Sequence, residues 1–206
     1  MLILHGGKRS PFVRRVAIWM ALQGTPFTRE VSDIFGADFV RFSARNPLVR
    51  VPVLTTPQGD LIETAAIIDY LENSVDPARR LLPAGGAERI ACLQVIALAN
   101  AIAEKGVAYV YETERRPADL VWADWAQRLA TQLRQGIAAL EAQTPESGWC
   151  GGDTPNGADA AVVATIDFIG TIADFADAAA RPRLDTLARR SLDLPAFASS
   201  HPKAPL

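Results

Sequence analysis

A serine followed directly by a proline stands where a short apolar segment gives way to a helical pattern. The apolar segment covers residues 2–4, and Val13 and Val16 begin the helical spacing after Ser10 and Pro11. Serine is a preferred N-cap and proline a preferred first helical residue, so a helix is predicted to begin here. A helix N-terminus that follows a strand attracts anions, and a capping serine keeps its O–H proton for donation.

Ser10 is therefore expected either to cap the helix alone or also to donate a hydrogen bond to a bound anion, and the two roles are compatible. A thiolate in that place would be stabilised by the donor and by the helix end. No neighbouring histidine and carboxylate make Ser10 a covalent nucleophile. His5, in the preceding strand, has no evident orienting carboxylate and is expected to be packed or to face a loop.

Val51-Pro52 begins a second apolar segment that reads as a strand. About 5% of X–Pro bonds in folded proteins are cis, so the residues alone favour a trans bond and an ordinary proline at the start of a strand. A cis bond would turn the N–H and C=O of Val51 outward, where an extended peptide could pair with them as an added strand. Both interpretations remain open at this point.

Glu63-Thr64 ends a strand pattern and begins a helical one. Thr64 could simply cap that helix. The same pair could also bind the two charged groups of an amino acid. Glu63 would then meet an ammonium, and the Thr64 hydroxyl with the helix N-terminus would meet a carboxylate.

The composition excludes several classes of function. The chain has 206 residues, of which 49% are hydrophobic, and a net charge of −2, so nothing points to nucleic acid or an anionic membrane surface. Charged residues interrupt the apolar stretches before the roughly 20 residues of a membrane span. The first apolar residues are expected to form a strand, not a signal peptide. Two histidines and the separated Cys92 and Cys150 predict no metal site and a reducing, cytoplasmic setting.

The periodicities predict two domains. Residues 1–76 follow the order βαβαββα, with strands at 27–31, 51–54 and from 61 onward. Residues 77–86 are rich in proline and glycine and are predicted to form a linker. Residues 87–206 are predicted to be entirely helical, with helices over 88–114, 119–143 and 156–172, and one or two short helices after them. The predicted class is an α/β domain followed by an all-α domain.

The motifs together resemble the cytosolic glutathione S-transferase superfamily, and most of all its bacterial members with a Ser-Pro-Phe-Val-Arg motif. The resemblance covers essentially the whole chain and implies a thioredoxin-like N-terminal domain, a C-terminal helical bundle domain and a homodimer. Glutathione is the implied co-substrate, without a metal. The motifs that carry it are Ser10-Pro11-Phe12-Val13-Arg14-Arg15, Asn46-Pro47, Val51-Pro52-Val53-Leu54, Glu63-Thr64 and Trp149-Cys150-Gly151-Gly152 with Asn156-x-x-Asp159.

The resemblance also implies roles for single residues. Ser10 would be the catalytic residue that hydrogen-bonds the glutathione sulfur. Val51, before a cis Pro52, would pair with the cysteinyl backbone. Threonine replaces the more usual serine beside the glutamate that grips the γ-glutamyl end. The implied glutathione-binding residues are Ser10, Phe12, Arg50, Val51, Glu63 and Thr64, of which Arg50 is the weaker candidate. Residues at the electrophile pocket would be Pro11, Phe12, Asn100 and Tyr109, and Asn156 with Asp159 would form a structural cap.

The implied activity is transfer of the glutathione thiolate to a small hydrophobic electrophile. A cysteine at Ser10 would favour thiol–disulfide chemistry instead, because a cysteine of low pKa forms mixed disulfides. Two alternatives remain. One is a non-catalytic binding or regulatory protein on the same scaffold, since fold does not determine function. The other is a glutathione-dependent dehalogenase, isomerase or peroxidase.

Overall fold

The computed structural model describes residues 1–172, 175 and 181–203, and these form two compact units. The first unit contains Met1–Leu82 together with the chain from Asp193 onward, and the second contains Pro83–Leu192. The first has a mixed sheet with helices, and the second is helical. The predicted fold class, a thioredoxin-like domain followed by a helical bundle, is confirmed.

The sheet of the first unit has the order β2-β1-β3-β4. β1 and β2 are parallel, whereas β3 is antiparallel to both of its neighbours, β1 and β4. The pairing register places four residues in one row across the sheet, namely Glu30, His5, Val53 and Ile62. The strands are β1 (Leu2–His5), β2 (Phe27–Glu30), β3 (Val53–Thr56) and β4 (Gly59–Ile62).

Three helices alternate with these strands and complete the predicted βαβαββα order. α1 and α3 pack against each other. α1 is almost completely buried, because all ten of its residues from Pro11 to Met20 are buried. α2 is short and follows an irregular segment. Their bounds are α1 (Pro11–Leu22), α2 (Phe39–Ser43) and α3 (Thr64–Asn73).

The strands of the hairpin differ slightly from the sequence pattern. β3 begins at Val53, two residues later than predicted, because Pro52 has no N–H for the ladder and the Val51–Pro52 bond is cis. β4 begins at Gly59, two residues earlier than predicted, since Thr56 pairs directly with Gly59 across a short turn. The predicted linker holds a single 3₁₀ turn over Pro77–Arg79.

The second unit is built around its longest helix, α4, which packs against both α5 and α6. α6 in turn packs against α7. A β-carbon on Gly106 would lie 2.8 Å from the ring of Phe168, so this glycine is what allows α4 and α6 to approach so closely. The bounds are α4 (Gly86–Val110), α5 (Ala123–Gln143), α6 (Gly157–Ile169) and α7 (Pro182–Ser191).

Two ends of the predicted long helices are irregular. α4 gives way at Val110 to a π-helical turn over Tyr111–Arg115, inside the range predicted as continuous helix. A 3₁₀ turn over Ala118–Leu120 replaces the predicted first residues of α5. By length and composition alone, the helix over Gly86–Arg115 could cross a membrane. Its packing against α5 and α6 is that of a central bundle helix.

Residues 193–203 belong to the first unit, whereas the sequence pattern places them in the helical domain. α8 (Pro195–Ala198) packs against α1, and Phe197 is fully buried. A large apolar ring such as that of Phe197 tends to be buried. The sequence pattern does not show that α1 offers the surface against which it packs. The grouping by contacts therefore differs from the predicted division into 1–76 and 87–206.

Candidate active site

The predicted site residues of the first unit follow or precede one edge of the sheet. The row that contains His5, Val53 and Ile62 is the last row of the ladder at that edge. The chain leaves β1 there toward Ser10, enters β3 there, and leaves β4 there toward Glu63. The topology thus brings together three motifs that are far apart in the sequence.

Ser10 is the N-cap of α1, as its sequence position predicts. It has extended backbone angles, and its Oγ accepts a hydrogen bond from the Val13 N–H at 3.3 Å. Its carbonyl accepts from the Arg14 N–H at 3.0 Å. Among the described residues no acceptor engages the Ser10 hydroxyl proton. Ser10 can therefore cap the helix and still donate to a ligand.

Gly6 allows the start of α1 and the segment before β3 to lie close together. Its φ is +130°, and a β-carbon built on it would lie 2.4 Å from Cγ2 of Val13 and 2.9 Å from Cβ of Val51. Real side chains do not approach so closely, so only glycine fits at this position. The contact holds the first turn of α1 beside Val51.

The Val51–Pro52 peptide bond is cis, which is the geometry that the resemblance implies. Val51 precedes the ladder, and no described residue pairs with its backbone N–H or C=O. An extended peptide could therefore add to the sheet edge at this residue. Its role in binding remains a prediction.

Asn46 shapes the loop that leads to Val51, a role that was not predicted from the sequence. This side chain is 1% exposed, its Nδ2 donates to the Arg50 carbonyl at 2.8 Å, and its Oδ1 accepts from the Leu48 N–H at 3.0 Å. Val49, inside the loop, has a φ of +49°, which is rare for a β-branched residue. The Asn46-Pro47 pair was the available signal, because asparagine commonly bonds to the backbone two residues further on.

Glu63 and Thr64 connect β4 to α3. Glu63 is exposed and has a φ of +66°, a strained conformation that in non-glycine residues clusters at functional sites. Thr64 is the buried first residue of α3. Among the described residues neither side chain has a hydrogen-bonding or charged partner. A carboxylate, a hydroxyl and a helix N-terminus are therefore present together without internal partners.

The other predicted residues of the first unit have different surroundings. Arg50 is exposed and lies in the loop organised by Asn46. Pro11 and Phe12 form the first turn of α1, and the Phe12 side chain is only 8% exposed. What Phe12 can offer a ligand is mainly its backbone N–H, which is among the unpaired donors of a helix N-terminus.

His5 is fully buried and has a structural environment, as expected. Its Nε2 lies 2.9 Å from Thr55 Oγ1, and its Nδ1 lies 3.7 Å from Glu30 Oε2. Burial and the nearby Arg45 guanidinium lower the pKa of His5, and these effects outweigh the neighbouring carboxylates, Glu30 and Asp60. The imidazole is thus kept neutral near pH 7.

Asn100 and Tyr109, predicted at the electrophile pocket, belong to α4 in the second unit. Asn100 is half-buried. Tyr109 is 8% exposed, and its ring forms a T-shaped pair with that of Phe175, with centroids 5.2 Å apart. Their role toward an electrophile remains a prediction.

Asn156 and Asp159 form a capping box at the start of α6. Asn156 Oδ1 accepts from the Ala158 N–H at 2.8 Å, and Asp159 Oδ2 accepts from the Asn156 N–H at 2.9 Å. Asp159 also accepts from the N–H groups of Cys150 and Gly151 at 2.8 and 3.2 Å. Burial raises the pKa of Asp159 and that of the Cys150 thiol. Through the hydrogen bonds from Cys150 and Gly151, Asp159 ties the preceding loop to α6.

The described part of the chain contains no group of three histidine, cysteine, aspartate or glutamate side chains that could hold a metal ion. The polar groups of the sheet edge instead suit an organic ligand. They are the hydroxyl of Ser10, the backbone of Val51, the Glu63 carboxylate and the N-termini of α1 and α3.

Solved structures with the same fold cover nearly the whole chain. A glutathione S-transferase of Methylobacterium radiotolerans, in complex with glutathione sulfonate, has a TM-score of 0.90 and 26% identity, over 100% of this chain and 96% of that one. A maleyl pyruvate isomerase, described as a bacterial glutathione S-transferase in the Zeta class, has a TM-score of 0.78 and 25% identity, over 98% of each chain.

The family described as "Glutathione S-transferase, N-terminal domain" matches residues 4–79. A maleylacetoacetate isomerase of Rhizobium meliloti is 32% identical over 97% of this chain and 95% of its own length. The uncharacterized GST-like protein YibF of Escherichia coli is 30% identical over 81% of each chain. With relatives at these identities along most of its length, this chain belongs to the glutathione S-transferase family.

Proposed function

We propose that this protein binds glutathione at the edge of its N-terminal sheet and that Ser10 donates a hydrogen bond to the glutathione sulfur. The observation that carries the proposal is the state of the Ser10 side chain. Its oxygen caps α1, while no described residue accepts its proton. A donor at a helix N-terminus favours a thiolate over a thiol.

The other groups at the edge fit the remaining parts of a γ-glutamyl tripeptide. The backbone of Val51 has no internal partner and can pair with the cysteinyl residue as an added strand. Glu63 can meet the α-ammonium, and Thr64 with the N-terminus of α3 can hold the α-carboxylate. Arg50 supplies a cation for the glycyl end. The N–H of Phe12 adds a donor at α1.

Ser10 alone accounts for only part of any rate acceleration. A thiol pKa lowered by about two units from about 8.5 raises the thiolate fraction at pH 7 from about 3% to about 75%. The intrinsic nucleophilicity of the thiolate falls with its pKa, at a slope of about 0.45, so about eightfold of this gain is lost. The net benefit is a few-fold, and positioning of the electrophile must supply the rest.

The reaction we propose first is conjugation of glutathione to a small hydrophobic electrophile. Glutathione supplies the nucleophilic thiol. The chain's own residues hold the tripeptide along the sheet edge, keep its sulfur at the Ser10 hydroxyl and stabilise the ionised form. Pro11, Phe12, Asn100 and Tyr109 are the candidates to receive the acceptor.

A second candidate is a glutathione-dependent isomerase. It is favoured by relatives named maleylacetoacetate isomerase, from Pseudomonas aeruginosa and Rhizobium meliloti, which match 94% and 97% of this chain. Both reactions use the sulfur of glutathione, and they differ in what becomes of the glutathione molecule. Conjugation consumes glutathione, whereas isomerisation returns it unchanged.

We further propose a cytoplasmic homodimer, which is supported by the exposed apolar side chains of Ile90 and Leu93 on α4.

Calorimetric titration with glutathione tests binding. Wild type should bind at millimolar concentration or better, and Glu63→Gln should weaken binding about tenfold through loss of a charge-assisted hydrogen bond. Glu88→Gln is the matched control, because Glu88 is also exposed but lies at the start of α4. Wild type that fails to bind glutathione would contradict the whole proposal.

Product analysis then separates the two reactions. Wild type is incubated with glutathione and either a chlorinated aromatic acceptor or maleylacetoacetate. Conjugation predicts a glutathione adduct and stoichiometric loss of free thiol. Isomerisation predicts an isomer of the acid with total glutathione unchanged. If wild type binds glutathione but forms neither product, the non-catalytic alternative is favoured.

A further inference from the structure

A cavity of about 570 Å³ lies in the second unit and is lined by side chains from α4 and from the start of α5. This volume falls in the range of small-molecule sites. The residues of the proposed glutathione site all belong to the first unit, so the cavity is separate from that site. Six side chains line it, namely Lys105, Trp122, Asp124, Trp125, Arg128 and Gln132.

Two of these side chains, Trp122 and Trp125, form an aromatic platform. Their rings are stacked, with 22° between the planes and 6.3 Å between the centroids. Trp122 is 63% exposed, so the platform is open to solvent. The face of an aromatic ring carries partial negative charge. It therefore attracts groups that carry partial positive charge, such as the C–H bonds of carbon atoms bound to oxygen.

A buried carboxylate fixes the backbone of the platform. Glu112 is 5% exposed, and its Oε1 accepts a hydrogen bond from the backbone N–H of Trp122 at 2.8 Å. Its Oε2 lies 3.1 Å from the Arg116 guanidinium. Glu112 lies in the π-helical turn Tyr111–Arg115, and such turns are frequent at functional sites. The position of Trp122 is thus set before any ligand arrives, which reduces the entropic cost of binding.

The polar side chains of the cavity combine hydrogen-bond donors with acceptors. Lys105 and Arg128 donate, Asp124 accepts, and Gln132 can do both. Among the described residues none of these four side chains has a hydrogen-bonding or ion-pair partner. A ligand rich in hydroxyl groups suits such a set, because each hydroxyl both donates and accepts.

Gln132 gives the strongest sign that a polar ligand is missing. Its Oε1 is buried and has no hydrogen-bond partner in the described part of the chain, although buried polar atoms are normally paired. Because Gln132 lines the cavity, a turn of its amide about the last side-chain bond would present this oxygen to a ligand hydroxyl. The amide could then make the hydrogen bond that it lacks.

A pyranose sugar matches both the platform and the polar side chains. Its ring carbons present a face of C–H bonds, and its hydroxyls project from the rim of the ring. A planar aromatic ligand without hydroxyls would match the platform alone. A charged group would meet a like charge in the same cavity, since Lys105 and Arg128 are cations and Asp124 is an anion.

We propose that this cavity binds a neutral pyranose sugar. The C–H face of the sugar stacks on the platform of Trp122 and Trp125. Its hydroxyls donate to Asp124 and Gln132 and accept from Arg128. A β-glucoside fits this arrangement well, because its equatorial hydroxyls leave only C–H bonds on the two faces of the ring.

Calorimetry on the full chain tests the site, with cellobiose as the β-glucoside probe. Wild type should show saturable binding with a dissociation constant of about 1–10 mM, with or without glutathione. Sorbitol has hydroxyls but no ring face, and it should bind at least about tenfold more weakly. Equal binding of the two probes would overturn the proposal, and so would the absence of saturable cellobiose binding by wild type.

Substitutions in the platform test the stacking. Trp122→Ala should weaken cellobiose binding by about tenfold or more, whereas Trp122→Tyr keeps an aromatic face and should stay within about threefold of wild type. Both variants keep the backbone N–H that Glu112 accepts from. Far-UV circular dichroism confirms that each variant is folded. Undiminished binding by Trp122→Ala would contradict the proposal.

A carboxylate substitution tests the polar contacts. Asp124→Asn should weaken cellobiose binding about tenfold through loss of a charge-assisted hydrogen bond. Asp119→Asn is the matched control, because Asp119 is also exposed but does not line the cavity, and it should bind as wild type does. Equal effects of the two substitutions would count against the site. Glu63→Gln should bind cellobiose normally, so failure of this site and failure of the glutathione site are distinguishable.

Discussion

Gly6 and Val51 lie so close together that a β-carbon on Gly6 would be 2.9 Å from Cβ of Val51. Gly6 directly follows β1 and Val51 precedes β3, so this close approach lies at the edge of the sheet from which the chain continues to Ser10. The geometry of the proposed glutathione site therefore depends on a residue that itself has no side chain to offer a ligand.

Gly6→Ala should destabilise the protein by about 2–4 kcal/mol, because the new methyl group meets Val13 and Val51 and the φ of +130° is strained for alanine. Chemical denaturation of the two proteins measures the difference. Gly59→Ala is the control for strain alone, because its φ is +125° and nothing lies within 4 Å of its added methyl group. Equal losses at both positions would show that the close contact contributes nothing.

Glu72 is a buried carboxylate that joins three parts of the first unit. Its Oε1 accepts from Trp19 Nε1 at 2.9 Å, from Gln23 Nε2 at 2.8 Å and from the Leu81 N–H at 3.0 Å, and its Oε2 accepts from the Leu82 N–H at 3.0 Å. Glu72→Gln should cost about 2–4 kcal/mol of stability, because its amide NH₂ group cannot accept these hydrogen bonds.

Thermal and urea denaturation check this prediction, with Glu88→Gln as the exposed control. Glu88 stands in the first turn of α4 and is exposed, so its loss should change the free energy of unfolding by less than about 0.5 kcal/mol. Similar effects of the two substitutions would contradict the role assigned to Glu72.

The lowered pKa of His5 predicts a pH-dependent stability. The unfolded chain binds a proton at the ordinary value of 6.5, whereas the folded chain binds it only at a lower pH. Stability is therefore fully present above about pH 6.5 and falls as the pH drops toward the folded value, by at most about 1.4 kcal/mol per pH unit. The charged groups facing His5 are Arg45, Glu30, Asp60 and Arg41.

Unfolding free energies measured at several pH values between about 7.5 and 5.5 test this. Wild type should lose more stability than His5→Gln over this interval, although the variant starts from a lower value because a buried hydrogen bond to Thr55 is altered. Identical slopes for the two proteins would show that His5 does not titrate differently in the folded state.

Exposed apolar side chains on α4 support the proposed homodimer. Ile90 and Leu93 are 63% and 41% exposed and lie one turn apart on the same face. Ile90→Glu should convert the dimer to a monomer in light scattering coupled to gel filtration. Leu120→Glu, at a side chain 60% exposed, is the matched control and should remain dimeric. Dimers that persist in Ile90→Glu would place the interface elsewhere.

Local signals in the sequence predicted much of this structure. The Ser10-Pro11 pair marked the start of α1, and Asn156 with Asp159 marked the start of α6, because capping acts over three or four residues. The same local logic placed Glu63-Thr64 between a strand and a helix.

Features that depend on distant partners were not predictable in this way. The cis state of Val51-Pro52 came from the family resemblance and not from the residues, since most such bonds are trans. Glu72 meets Trp19 and Gln23, which are about fifty positions away. The return of α8 to the first unit likewise needs a surface on α1 that only the folded chain presents.

We propose that Ser10 stabilises the thiolate of bound glutathione, and the pKa of that thiol tests this role most directly. Thiolate absorbance is titrated for glutathione bound to wild type and to Ser10→Ala, with saturation checked by calorimetry. In wild type the thiol pKa should lie about two units below its free value of about 8.5, and in Ser10→Ala it should return most of the way. The same thiol pKa in both proteins would contradict the account.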